Sequence, residues 1–274
     1  MSSDPESTIP EDRKTPADDA AEHDALVDSA EMPFMAHVVE LRQRILRGLF
    51  AVLALFLPIY FFANELYQLV AAPLMAHLPN GGNMIATEVA SPFLTPFKLA
   101  VYAAIFVGMP VLLHQAWSFV SPGLYKHEKR FARPLLVSSV ALFYSGMAFA
   151  YFLVFPLVFA FMASVTPLGV TMMTDINRYL DFVLTMFFAF GFAFEIPIAT
   201  LLLVWSGVST AASIARKRPY VIVGCFIGGM LLTPPDVISQ LLLAIPTWLL
   251  FEVGILFARI AEKRSERDRD AGEN

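Results

Sequence analysis

Six long apolar runs leave this chain little choice of fold: Ile45–Ala63, Leu99–Val120, Leu135–Met162, Leu180–Trp205, Val221–Leu232 and Ile238–Ala258. Their only charged residues are Arg47, Asp181, Glu195 and Glu252. In hydrocarbon every backbone N–H and C=O must be satisfied within its own segment, so such runs read as membrane-spanning helices of about 20 residues, except that the fifth, at 12 residues, is on length alone short enough to be re-entrant or interfacial. The whole chain agrees: of 274 residues 57% are hydrophobic and 16% charged, against roughly 25% charged in soluble domains. This argues against a water-soluble enzyme and predicts an all-α membrane protein with six transmembrane helices. Pro58, Pro110, Pro156, Pro197 and Pro246 lie in or at the ends of the runs, and each favours a kink by removing a backbone hydrogen bond. The bundle is expected to be bent.

The net charge of −5 averages two regions. Residues 1–31 hold ten acids against Arg13 and Lys14, a balance of −8, which leaves +3 for the rest. That composition predicts a disordered acidic tail over 1–33, with no apolar core of a signal peptide. Basic residues cluster in alternate connections: Arg42, Arg44 and Arg47; Lys126, Lys129, Arg130 and Arg133; Arg216, Lys217 and Arg218; then Arg259 onward. The positive-inside rule makes both termini cytoplasmic. With a basic C-terminal segment, the fifth and sixth runs both cross or neither does, and two short crossings fit. The expected divisions are the tail 1–33, a six-span domain 34–260 with an ordered outer cap loop 64–96, and a charged cytoplasmic tail 261–274. Leu66, Leu69, Val70 and Leu74 predict a short helix in the cap.

The residues that could carry chemistry are few. His37 to Arg44 read H-V-V-E-L-R-Q-R, with Glu40 and Arg44 spaced as an i,i+4 pair. Residues 121–130 read S-P-G-L-Y-K-H-E-K-R, where Glu128 is the lone acid in a basic loop. Each acid reads either as local charge neutralisation or as half of a receiver for a cationic ligand, since carboxylate pairs with guanidinium in a fork that lysine cannot reproduce. Glu195, in F-A-F-E-I-P, falls deep in the fourth run, where a carboxylate is costly and marks a proton relay or a docking point. Glu252 is placed to snorkel to the interface. Thr233, Asp236 and Gln240 belong to the L-L-T-P-P-D-V-I-S-Q turn, either a tight double-proline turn or a polar patch for an added helix. The lone Cys225 excludes a disulfide framework, and no zincin, nucleophile-elbow or nucleotide-binding motif occurs. No enzymatic activity, cofactor, metal or nucleic-acid partner is expected. A proton-coupled small-molecule secondary transporter with Glu195 as relay is an alternative on these residues alone.

Together with A-A-P-L at 71–74, M-I-A-T-E-V-A-S-P-F at 84–93, K-R-P-Y at 217–220 and L-L-T-P-P-D-V, these segments resemble the TatC family, the multispanning signal-receptor subunit of the twin-arginine protein translocase. The resemblance runs from Phe34 to Arg259; the long acidic tail departs from it. It implies a receptor in the bacterial cytoplasmic (inner) membrane that binds twin-arginine signal peptides of folded precursors. Assembly with TatA, TatB and further copies of itself, driven by the proton-motive force, is implied too. Glu40 and Glu128 would meet the signal arginines, with Phe119 beside them. Pro73 and Asp236 would shape the outer side for assembly, Glu195 would be the polar group of the concave face, and Met230, Thr233 and Gln240 would dock partner helices.

Overall fold

The computed structural model describes residues 16–76, 83–120, 132–167, 170, 172–232 and 237–272. Among them the backbone is helical, with one isolated bridge and no strand. The helices are α1 (Pro16–Tyr60), α2 (Ala63–Met75), α3 (Ser91–Val120), α4 (Ala132–Phe149), α5 (Phe155–Val165), α6 (Ile176–Ala193), α7 (Ile196–Trp205), α8 (Ala211–Arg216), α9 (Arg218–Leu232) and α10 (Val237–Gly272). Among the described residues five stretches are long and apolar enough to cross a membrane: Val38–Tyr60, Ser91–Phe119, Pro134–Val165, Ile176–Trp205 and Val237–Lys263. Helix α9 has 15 residues, about 22 Å, less than the ~30 Å hydrocarbon core. Of the last two expected spans only α9 is short, because α10 stays helical beyond its apolar run and into the basic segment.

The chain divides into Met1–Leu46 and Arg47–Asn274. In the first unit α1 begins at Pro16, so part of the stretch whose composition predicts disorder has helical backbone. Proline suits the first helical position, and Ala, Glu, Leu and Met are good helix formers.

In the second unit Phe143, Val154, Phe155, Leu180, Val183 and Phe190 form the fully buried centre of the packing of α4, α5 and α6. Rings meet edge to face, as in Phe106–Phe187 at 5.9 Å and 83°. Two glycines set the approach of α4 to α6. A Cβ on Gly146 would overlap the Phe190 carbonyl, and one on Gly191 the Phe143 ring, the small-residue contact that membrane helices use to pack closely.

The prolines act in different ways. Pro197 separates α6 from α7, and Pro156 follows a π-helical segment, Ala150–Val154, that absorbs the register change. Pro110 and Pro246 lie inside unbroken helices. Pro110 removes the N–H that the Phe106 carbonyl would accept four residues back. The Tyr144 hydroxyl supplies the missing donor at 2.9 Å. Pro73 likewise deprives the Leu69 carbonyl in α2, and the Tyr151 hydroxyl donates to it at 2.8 Å.

Around α2 the chain forms a cap. Ile85 N donates to the Thr174 carbonyl at 3.0 Å and Ile176 N to the Ile85 carbonyl at 2.9 Å. The Tyr179 hydroxyl donates to the Val70 carbonyl at 2.8 Å, so the start of α6 holds both α2 and the segment before α3.

Candidate functional site

Glu40 lies on α1 in the first unit, one turn before Arg44. Arg44 Nε donates to Glu40 Oε1 at 3.0 Å, and Nη2 donates to the same oxygen. The acid precedes the base, the favourable order along a helix. The Glu40 side chain keeps 38% of its surface exposed, so a cationic ligand can reach it in competition with Arg44.

Glu195 occupies the break between α6 and α7. Pro197 has no N–H for the Ala193 carbonyl four residues back, and Glu195 N donates to the Phe192 carbonyl at 3.1 Å, a tighter i→i−3 turn at the break. Its side chain turns to α4, where Ser139 Oγ donates to Oε2. The other oxygen, Oε1, is buried with no hydrogen-bond partner among the described residues. A half-satisfied carboxylate in an apolar setting is costly.

Gln240, on α10, donates from Nε2 to the Phe226 carbonyl of α9 at 2.9 Å. Its side chain packs on Gly229, where an added Cβ would come within 3.0 Å of Gln240 Cγ. The adjacent Met230 and Leu231 are 60% and 75% exposed, so this end of α9 presents apolar side chains outward. At the other end of α9, Arg218 donates from Nε and Nη2 to the two Glu252 oxygens at 2.7 Å each. Glu252, which reads in sequence as a snorkelling acid, thus has a fixed partner. Pro73 is buried in α2 and Phe119 is half-buried near the end of α3. Glu128, Thr233 and Asp236 lie outside the described residues.

Two residues were missed by sequence reasoning. Ser139 carries no signal beyond being a hydroxyl in an apolar run. Asp175 does carry one, as an Asp just before an apolar-periodic stretch. Its Oδ1 accepts from Asn177 N at 2.9 Å and Arg178 N at 3.0 Å, capping α6, while Oδ2 accepts from Thr87 Oγ1 at 2.6 Å and Thr87 N at 2.9 Å. These bonds, the Thr87 hydroxyl foremost, hold the carboxyl down at about 2. Tyr67, whose hydroxyl reaches Met84 Sδ at 3.4 Å, is pushed up to about 12 by burial and by the nearby Asp175 charge. No group of His, Cys, Asp and Glu among the described residues is arranged to hold a metal.

The helical arrangement has solved counterparts. The chain resembles a structure described as the crystal structure of twin arginine translocase receptor TatC, with a TM-score of 0.75 and 36% identity over 82% of this chain and 99% of that one. A second structure of that receptor, in DDM, gives a TM-score of 0.74 at 35% identity, over 81% of this chain and 99% of that one. A protein of Azotobacter chroococcum mcd 1 named Sec-independent protein translocase protein TatC is 62% identical over 236 residues, 86% of this chain and 92% of the relative. Its namesake in Escherichia coli (strain K12) is 55% identical over 227 residues, 83% and 88% of the two chains. Residues 36–246 match the family described as TatC, Sec-independent protein translocase protein. The chain belongs to the TatC family of protein translocase components.

Proposed function

We propose that the protein is the receptor and core subunit of a twin-arginine translocase, a multi-pass protein of the bacterial inner membrane that binds twin-arginine signal peptides and nucleates the translocation site. The observation that carries this reading is the likeness to a twin-arginine translocase receptor over 99% of that chain. Glu40 and Glu128 receive the two signal arginines, with Phe119 lining the site. Glu40 is supported as one of them by its exposed carboxylate and its existing guanidinium partner. Glu195, Met230, Thr233 and Gln240 dock the single-span subunits TatA and TatB, while Pro73 and Asp236 shape the outer side for assembly. The unpaired Glu195 Oε1 and the outward Met230 support the docking role.

In this reading the receptor has six crossings, the short α9 being the fifth along the chain and locally thinning the bilayer, and both termini are cytoplasmic. Residues 1–33 and 261–274 form cytoplasmic tails around the membrane domain. The proton-motive force drives export and the protein catalyses no reaction. The transporter alternative draws no support from the relatives.

The test is binding of an Arg-Arg signal peptide and its Lys-Lys counterpart to the full-length protein in membranes. Arg-Arg preference should fall at least about tenfold in Glu40→Ala and in Glu128→Ala, as expected for a lost charge-assisted fork. Equal binding of both peptides by all three proteins would overturn the receptor reading.

A further inference from the structure

A groove of about 420 Å³ lies between α3 and α6, lined by Tyr102, Thr185, Phe188, Ala189, Phe192 and Leu232. That volume is within the range of small-molecule sites. Its walls are apolar. Phe188 and Phe192 stack at 5.8 Å, Tyr102 meets Phe188 edge-on at 5.6 Å, and Thr185 turns its hydroxyl onto the Asp181 carbonyl at 2.7 Å.

One turn beyond Tyr102 on α3 is Lys98, and one turn beyond Thr185 on α6 is Asp181. Residues four apart share a helix face, so both stand at the same end of the groove. They form an ion pair there. The Lys98 and Asp181 side chains keep 34% and 47% exposure, and an ammonium has three donors and a carboxylate two acceptor oxygens, so each has bonding capacity to spare. From Asp181 to Phe192 helix α6 rises about 16 Å, close to half of the ~30 Å hydrocarbon core. Leu232, the last residue of the short α9, lines the groove as well. The lined stretch from Thr185 to Phe192 rises about 10 Å and is apolar; with the ion pair one turn beyond its end, the whole run is about one leaflet deep and carries both signs of charge at that end.

We propose that this groove binds a zwitterionic phospholipid with a primary-ammonium headgroup, its phosphate on Lys98, its ammonium on Asp181 and an acyl chain along Phe188 and Phe192. Charge complementarity selects this occupant. An anionic headgroup brings a phosphate for Lys98 but no cation for Asp181, and a quaternary ammonium has no N–H to give that carboxylate. The site is independent of the signal-receptor reading and uses none of its residues.

The experiment titrates delipidated full-length protein in mild detergent with phosphatidylethanolamine, phosphatidylcholine or phosphatidylglycerol and counts bound lipid by native mass spectrometry. Phosphatidylethanolamine should bind about tenfold tighter than the other two. Asp181→Asn should bring it level with phosphatidylcholine. Ala189→Phe, which fills the groove and leaves the ion pair, should weaken its binding about tenfold. An unchanged melting temperature in lipid-free detergent establishes that each variant is folded, and Lys98→Gln replaces Asp181→Asn if that variant is not. Equal binding of the three lipids, tightest binding of phosphatidylglycerol, or a preference that survives both variants overturns the proposal. So does a cysteine placed by Ala189→Cys that crosslinks in native membranes to a single-span subunit, since a partner helix would then hold the groove.

Discussion

The α4–α6 contact and helix α9 are built from the same kinds of residue and use them in opposite ways. In the first, Gly146 and Gly191 are filled by a carbonyl and a ring from the facing helix, and Phe143, Leu180 and Phe190 are fully enclosed. In α9 only Gly229 is buried, while Cβ atoms built on Gly224 and Gly228 would meet nothing within 4 Å. An apolar helix in a bilayer gains little from hiding its side chains, because lipid is as apolar as they are, so close packing and polar ties decide which helices are fixed. α9 is tied to α10 by Arg218–Glu252 and Gln240–Phe226 and rests Val221 against Phe251 and Ile255, while most of its other side chains face outward.

The strongest way to break this comparison is overpacking. Gly191→Leu or Gly146→Leu should destabilise the protein by about 3 kcal/mol, read as a lowered melting temperature in detergent, whereas Gly224→Leu should stay within about 0.5 kcal/mol of the parent. Equal effects at the three glycines would mean that α9 is packed as tightly as the centre. A smaller effect sharpens the account of the polar ties. Tyr151→Phe should cost about 1 kcal/mol, and nothing in a Pro73→Ala background, where the restored N–H satisfies the Leu69 carbonyl. Additive effects in that double-mutant cycle would refute the relation between the two residues.

The smallest effect is a local response to acid. The folded Asp175 carboxyl, at about 2, is depressed from its usual 3.8. Its contribution is therefore complete above about pH 4 and is lost as pH falls through about 2. Hydrogen exchange at the Thr87 and Ile176 amides should rise over that window ahead of the core amides. Thr87→Val should move the onset upward. Exchange that is flat down to pH 2 would show that the cap holds without this latch.

Much of the fold was legible because a span announces itself by length and lack of charge. The short α9 was visible as a 12-residue run, and Glu195 as a lone acid in hydrocarbon. Partners were not legible, for a physical reason. Ser139 and Ser145 are both hydroxyls in one apolar run, yet Ser145 Oγ donates to the Ala141 carbonyl of its own helix at 2.7 Å while Ser139 crosses to Glu195. Nothing local separates them, since the choice depends on which face the neighbouring helix covers. The pairing of Glu252 was hidden for the same reason: its partner, Arg218, is remote in sequence and adjacent only after α9 and α10 pair.

The tyrosines that serve proline-orphaned carbonyls have a consequence for how such sequences can drift. Losing Pro73 first leaves a helix that repairs itself and a hydroxyl that is merely surplus, whereas losing Tyr151 first strands a carbonyl with no donor. The order of substitution is therefore not free, and the same asymmetry applies to Pro110 and Tyr144. Lineages should shed the proline before the tyrosine, and ancestors reconstructed with the proline alone should be the least stable members of their series.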